Sequence, residues 1–321
     1  MNRSTLRTSA ALLAVILLAV PAFAKNDALS LVPANAVTVG MVKLAELRTS
    51  PLSSMLFEHT DKMSADGEAA KFIAETGLSP LKDIDVLVVA TSPRTNLGSE
   101  AEILVIAEGR FNPERLAAAV ASHGAVKKAN YFLAPEEEGD RPAVAFPSAS
   151  LVLAGTERAV VAALEARASG GTGFLERSGL GWDAAKVNDK ASAWAVVDVV
   201  RAARLTKGGN INTGKGQSGD ALRTAIKSLS TVAVWATDKG DSLELGAFGM
   251  SGDTETLQLL EDTVRGALSA LRLAVRDKSP DMVPVLRRFD VSRTKDSIVV
   301  EGSIPASTLR DMMAKKRASM Q

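Results

Sequence analysis

Two kinds of hydrophobic pattern alternate along the chain. Short apolar runs rich in β-branched residues predict strands, and longer segments with apolar residues every three or four positions predict amphipathic helices. Residues 37–42 read as a first strand, and residues 45–59 carry helical spacing at Leu47, Leu52, Met55 and Leu56. Residues 84–90 and 101–107 form a hairpin, and Asn112-Pro113 opens a helix with Leu116, Ala119 and Val120 on its apolar face. Asn accepts from free amides there, and Pro at the first helical position sacrifices no hydrogen bond. Short strands follow at 131–133, 143–146 and 151–153, and Thr156 is the expected cap of a closing helix.

The same order then recurs. Residues 194–200 are a strand, 221–229 a helix, and 232–236 with 243–248 a hairpin around the turn 238–241. The longest helix begins near Asp253, with Leu257, Leu260, Val264, Leu268, Leu271 and Val275 on one face. A last hairpin, 289–291 with 298–300, leads to a helix carrying Leu309, Met312 and Met313. Two letter matches support the repetition: Val-Val-Ala-Thr at 88–91 with Val-Trp-Ala-Thr at 234–237, and residues 150–156 with 297–303. Hairpins imply antiparallel pairing, because parallel strands need long crossovers. The expected fold is α+β, with two similar repeats, each a mostly antiparallel sheet with helices packed on one face.

The first residues have the layout of a secretory signal. Arg3 and Arg7 precede the apolar run 10–20, and Pro21-Ala22-Phe23-Ala24 supplies a small-x-small cleavage site. The expected division is a signal peptide at 1–24, a first repeat at 25–168, a linker at 169–190 and a second repeat at 191–321. The linker begins with the composition break Ala168-Ser169-Gly170-Gly171-Thr172-Gly173. An exported setting, periplasmic or secreted, is expected, and without cysteine the chain has no lipobox, disulfide or thiolate metal site. Of 38 Lys and Arg, removal of Arg3 and Arg7 leaves 36 against 37 Asp and Glu, a balance with no pull toward nucleic acid.

Candidate chemistry is thin. Residues 209–215 satisfy G-x-x-x-x-G-K, but Gly216 stands where the phosphate loop needs a hydroxyl for its metal. Ser79 with Lys82 and Ser292 with Lys295 have the S-x-x-K spacing without its partner motifs, and neither pair sits on a convincing helix. His59 and His123 are isolated near helix ends. The acidic run 136–140 lacks calcium-loop spacing, and Lys315-Lys316-Arg317 reads as a solubilising tail. Trp194 and Trp235 fall within strands and should be buried, and Trp182 should staple the linker to a domain. No catalytic, cofactor-binding or metal-binding residue is therefore assigned.

Residues 32–36 (Val-Pro-Ala-Asn-Ala), 47–52 (Leu-Arg-Thr-Ser-Pro-Leu) and 77–85 (Gly-Leu-Ser-Pro-Leu-Lys-Asp-Ile-Asp) resemble uncharacterised exported bacterial proteins with a duplicated α+β unit. The resemblance spans most of the chain beyond the leader and implies an envelope setting without bringing an activity. The leading expectation is a non-enzymatic binding protein of the cell envelope, holding a protein partner or envelope component through sheet surfaces, including strand addition at an exposed edge. The alternative is a carrier of an apolar, lipid-like ligand, and a hydrolase comes third. Any site is expected where the halves meet, near the glycine-rich boundary and Trp182.

Overall fold

The computed structural model describes residues 27–50, 52, 68–94, 100–135, 141–177, 179–205, 224 and 226–318. The leader, His59, the acidic run 136–140 and the loop 209–215 lie outside these residues.

The first half contains α1 (Asp27–Ser30), β1 (Thr38–Val42), α2 (Leu44–Arg48), α3 (Glu68–Thr76), α4 (Pro80–Asp83), β2 (Ile84–Pro93) and β3 (Ala101–Gly109). It continues through α5 (Pro113–Ser122), β4 (Val126–Lys127), β5 (Phe132–Leu133), β6 (Pro142–Ser148), β7 (Leu151–Thr156) and α6 (Glu157–Ala168). Two helices follow, α7 (Phe174–Arg177) and α8 (Gly179–Asn188). The second half has β8 (Ala193–Asp198), α9 (Val199–Leu205), β9 (Thr231–Asp238), β10 (Ser242–Met250) and α10 (Thr254–Lys278). It closes with α11 (Met282–Leu286), β11 (Asp290–Arg293), β12 (Ser297–Pro305) and α12 (Ala306–Ala318).

Local chemistry explains the main helix starts. Asn112 accepts from the Arg115 amide at 3.0 Å with Pro113 at the first turn of α5. Asp253 caps α10, accepting from the amides of Glu255 at 3.1 Å and Thr256 at 3.2 Å. The Thr256 hydroxyl, reinforced by those amides, holds the Asp253 carboxyl below its ordinary value. Thr156 departs from expectation: its hydroxyl donates to the buried Glu102 carboxylate across the sheet, and it makes no side-chain cap for α6.

All twelve strands belong to one antiparallel sheet in the order β11-β12-β10-β9-β8-β1-β2-β3-β7-β6-β5-β4. The sheets expected of the two halves are thus continuous, joined where β1 pairs with β8 from Thr38↔Val197 to Val42↔Ala193. From that junction outward, β1-β2-β3-β7-β6 on one side follows the same order as β8-β9-β10-β12-β11 on the other. The burial of Val86 to Pro93 also repeats residue for residue in β9, with Val89 and Val234 each the exposed member.

That pattern makes Gly40↔Ala195 the central pair and sets Val89, paired with Gly40, opposite in place to Val234, paired with Ala195. The letter matches are each one residue out of this register. They set Val88, which is fully buried, against the exposed Val234, and Gly155 against Gly302, whereas the ladders set Gly155 against Glu301. A one-residue slip in a strand moves every side chain to the opposite face, so the likeness of the halves is one of topology and burial.

Helices cover both faces. On one face, α1, α6, α7 and α8 seal a single core that runs through the junction and contains Met41, Val88, Ile106, Leu153, Trp194, Val196 and Ala233. Residues 169–190, expected as a linker, form part of this core: Phe174 and Ala184 are fully buried and Val187 nearly so. On the other face, α10 lays Leu257 and Leu260 over Val291 of β11 and Ile298 of β12. Its apolar stripe outruns the cover, because Leu271 is 46% exposed.

Candidate binding surfaces

Three surfaces emerge from this architecture. The first follows from register. A line of paired residues crosses the sheet through Phe132, Val144, Ala154, Val105, Val89, Gly40, Ala195, Val234, Ala247 and Val300 to Val291. Every member is apolar or glycine, and all point to the face opposite the large core. The ends are covered by α5 and α10, but the centre is open: Val89 is 40% exposed and Val234 48%, and Ile103, two residues from Val105 on the same face, is 45%. Gly40 and Ala195, both small, lie between the two valines and leave the middle shallow.

The second surface is an apolar groove of about 320 Å³ at one end of this line. Phe72 of α3 and Val120 of α5 form one wall, and Phe132, Val144 and Ala154 form the floor. His123 is the polar residue at its rim, with Nε2 3.0 Å from the Glu75 carboxylate and its ring tilted against Phe72. This histidine follows α5 as its C-cap, in keeping with the helix-end position expected of it.

The third surface is a cleft of about 810 Å³ where the segment between the halves meets the ends of β8, β9 and β10. Trp182 of α8 stands over it, 61% exposed. The indole Nε1 donates to the Glu176 carbonyl at 3.0 Å, so Trp182 does tie α8 to α7, yet most of its ring is in solvent. Asp183 accepts from Lys186 at 2.6 Å, and Asp198 caps α9 by accepting from the Arg201 amide at 2.9 Å, with the Arg201 guanidinium 3.7 Å from its other oxygen. Arg201 also donates to the Asn35 carbonyl at 2.7 Å.

The remaining sequence candidates have structural surroundings. Ser79 precedes α4 and its amide donates to Asp83, with Lys82 exposed on the same turn. Ser292 and Lys295 are exposed on the β11 side of a hairpin. Lys315 of the basic tail bonds Asp281 at 2.6 Å, which raises the lysine pKa and lowers that of the aspartate. Trp194 and Trp235 are buried as expected, directly paired across β8 and β9. Among the described residues no group of three or more His, Cys, Asp or Glu could hold a metal, and no helix is long and apolar enough to cross a membrane.

The sheet edges are less accommodating than a strand-addition mechanism requires. The edge strand β4 has two residues and β11 four, and the Arg265 guanidinium occupies the Val291 carbonyl on the latter. Short, capped edges offer an added strand little backbone to bond.

No family model matches the chain, and none of the curated proteins does. Among solved structures it is similar to the Treponema protein TP0453. Crystal form I aligns at 12% identity and TM-score 0.48, over 91% of this chain and 98% of that one. Crystal form III aligns at 12% identity and TM-score 0.49, over 91% and 99%.

Proposed function

We propose that this chain is an exported envelope protein, periplasmic or secreted, that binds a partner protein without catalysis, and that the open centre of its sheet is the binding face. The observation that carries this reading is the exposure of Val89 and Val234 in an uninterrupted apolar line, with Ile103 exposed beside that line on the same face. Full burial of a branched apolar side chain gains about 1.5–3 kcal/mol, and these residues, 40–48% exposed, leave a little under half of that unrealised. Three such side chains on one face mark a surface that gains by being covered. The short edges shift the expected contact from backbone pairing at a strand edge to side-chain packing on the face.

Support for a non-catalytic role comes from how the charges of the junction cleft are used. Asp183 and Asp198 each hold a cation and serve the fold, through Lys186 and through the start of α9. The leader reading and the resemblance noted from sequence support the envelope setting.

A photoactivatable residue at Ile103 tests the reading directly. Illumination of cells should yield a discrete protein adduct in the envelope fraction, and the same probe at the exposed turn residue Lys239 should yield none. Equal labelling from both positions, or none from Ile103, would refute it.

A second reading, a carrier of an apolar ligand, is favoured by the groove between Phe72, Val120 and Phe132, whose walls are almost wholly carbon. Mass spectrometry of an organic extract of the purified protein separates the two readings, because only a carrier should retain a stoichiometric lipid.

A further inference from the structure

The junction cleft has a composition of its own, different from that of the apolar line. It combines one open aromatic ring with two acid–base pairs, and each feature limits what it can hold.

Trp182 is 61% exposed although its indole nitrogen is already engaged by the Glu176 carbonyl. That bond fixes the ring and leaves a ligand only its π surface. The negative face of an aromatic ring attracts the weakly positive hydrogens of C–H groups. Val200, 50% exposed, adds a second apolar contact on the same cleft.

The charges nearby cancel. Asp183 is matched by Lys186, and Asp198 by Arg201. A cleft with two acids and two bases, each acid neutralised at contact distance, selects neither a free anion nor a free cation. It still offers multiple donors on the ammonium and guanidinium groups and spare lone pairs on the carboxylates. The chemistry that uses a C–H face and a rim of hydroxyls together, without net charge, is that of a pyranose ring. A volume of about 810 Å³ falls within the usual span of small-molecule sites and has room for more than one such ring.

We propose that this cleft binds a neutral oligosaccharide of two to four rings, with one ring stacked on Trp182 and its hydroxyls bonded by Asp198, Arg201 and Lys186. The site is separate from the open sheet face, so its failure would leave the protein-binding reading untouched.

The test is an array of immobilised neutral oligosaccharides of two to four rings, probed with the full chain. The affinity for any retained sugar is then read by titration calorimetry, which needs no tryptophan reporter. The wild-type protein should be retained by at least one sugar. Trp182→Ala should weaken binding at least tenfold, and Trp182→Phe, which keeps a π face, should weaken it less than Trp182→Ala. Asp198→Asn keeps the side-chain oxygen that caps α9 while removing the charge, and should weaken binding severalfold without a change in melting temperature. Retention of the wild type by no sugar overturns the proposal, as does equal binding by wild type and Trp182→Ala.

Discussion

At the junction of its halves the sheet has two faces of very different character. On one, Met41, Val88, Trp194, Val196 and Ala233 lie beneath α1, α7 and α8 and lose nearly all contact with water. On the other, one residue further along the same strands, Val89 and Val234 stand 40% and 48% exposed. Both faces are apolar, and strand propensity alone does not distinguish them. The difference shows that, at the junction, the described covering segments lie on one side and leave an apolar surface on the other.

Removing the cover of the buried face should have the largest effect on stability. Phe174→Ala should cost about 3–5 kcal/mol in chemical denaturation, the usual range for deleting a fully enclosed aromatic side chain. A cost below about 1 kcal/mol would mean that α7 is not part of the core. A matched pair is more discriminating, because Val196 and Val234 are valines on neighbouring strands with opposite exposure. Val196→Ala should cost about 2 kcal/mol, and Val234→Ala no more than about 0.5 kcal/mol.

A smaller effect distinguishes the cover on α10 from the cover at the junction, because α10 is held partly by carboxylates. Arg293 and then Arg265 hold the Glu261 carboxyl below its ordinary value, as Thr256 does that of Asp253. A lowered folded-state pKa gives stability that is present above the unfolded value and lost as pH falls through the folded one. Hydrogen exchange should therefore show α10 loosening as pH falls below the ordinary carboxylate range, while the core around Trp194 and Val196, sealed by uncharged packing, stays protected. Uniform loosening would remove this distinction between the two covers.

Much of this architecture was legible in the chain. Hairpins at β2-β3 and β9-β10, the cap Asn112, the start of the longest helix near Asp253, and the burial of Trp194 and Trp235 all follow from local spacing and residue type. The β1–β8 junction was not legible, because a ladder between residues some 155 positions apart leaves no local trace. The two letter matches misled by one residue, since identity of letters carries no information about which face a strand presents. Glycines at 170, 171 and 173 suggested a linker, although Leu180, Ala184 and Val187 have the spacing of a packed helix directly after them. The neighbourhood of Trp182 was anticipated as a place for a site, but the exposure of its ring was not, because sequence does not say which helical face lacks a neighbour.

The smallest expected change in stability is at the open face itself. Val89→Thr with Val234→Thr keeps the β-branched shape and replaces one methyl of each exposed valine by a hydroxyl. If the open face serves a partner, thermal and denaturant midpoints should stay within error of the wild type, while the adduct formed from a photoactivatable residue at Ile103 should fall severalfold. An unchanged adduct would rule out a partner on this face, and so would a loss of several kcal/mol in stability, which would mean that the chain itself buries it.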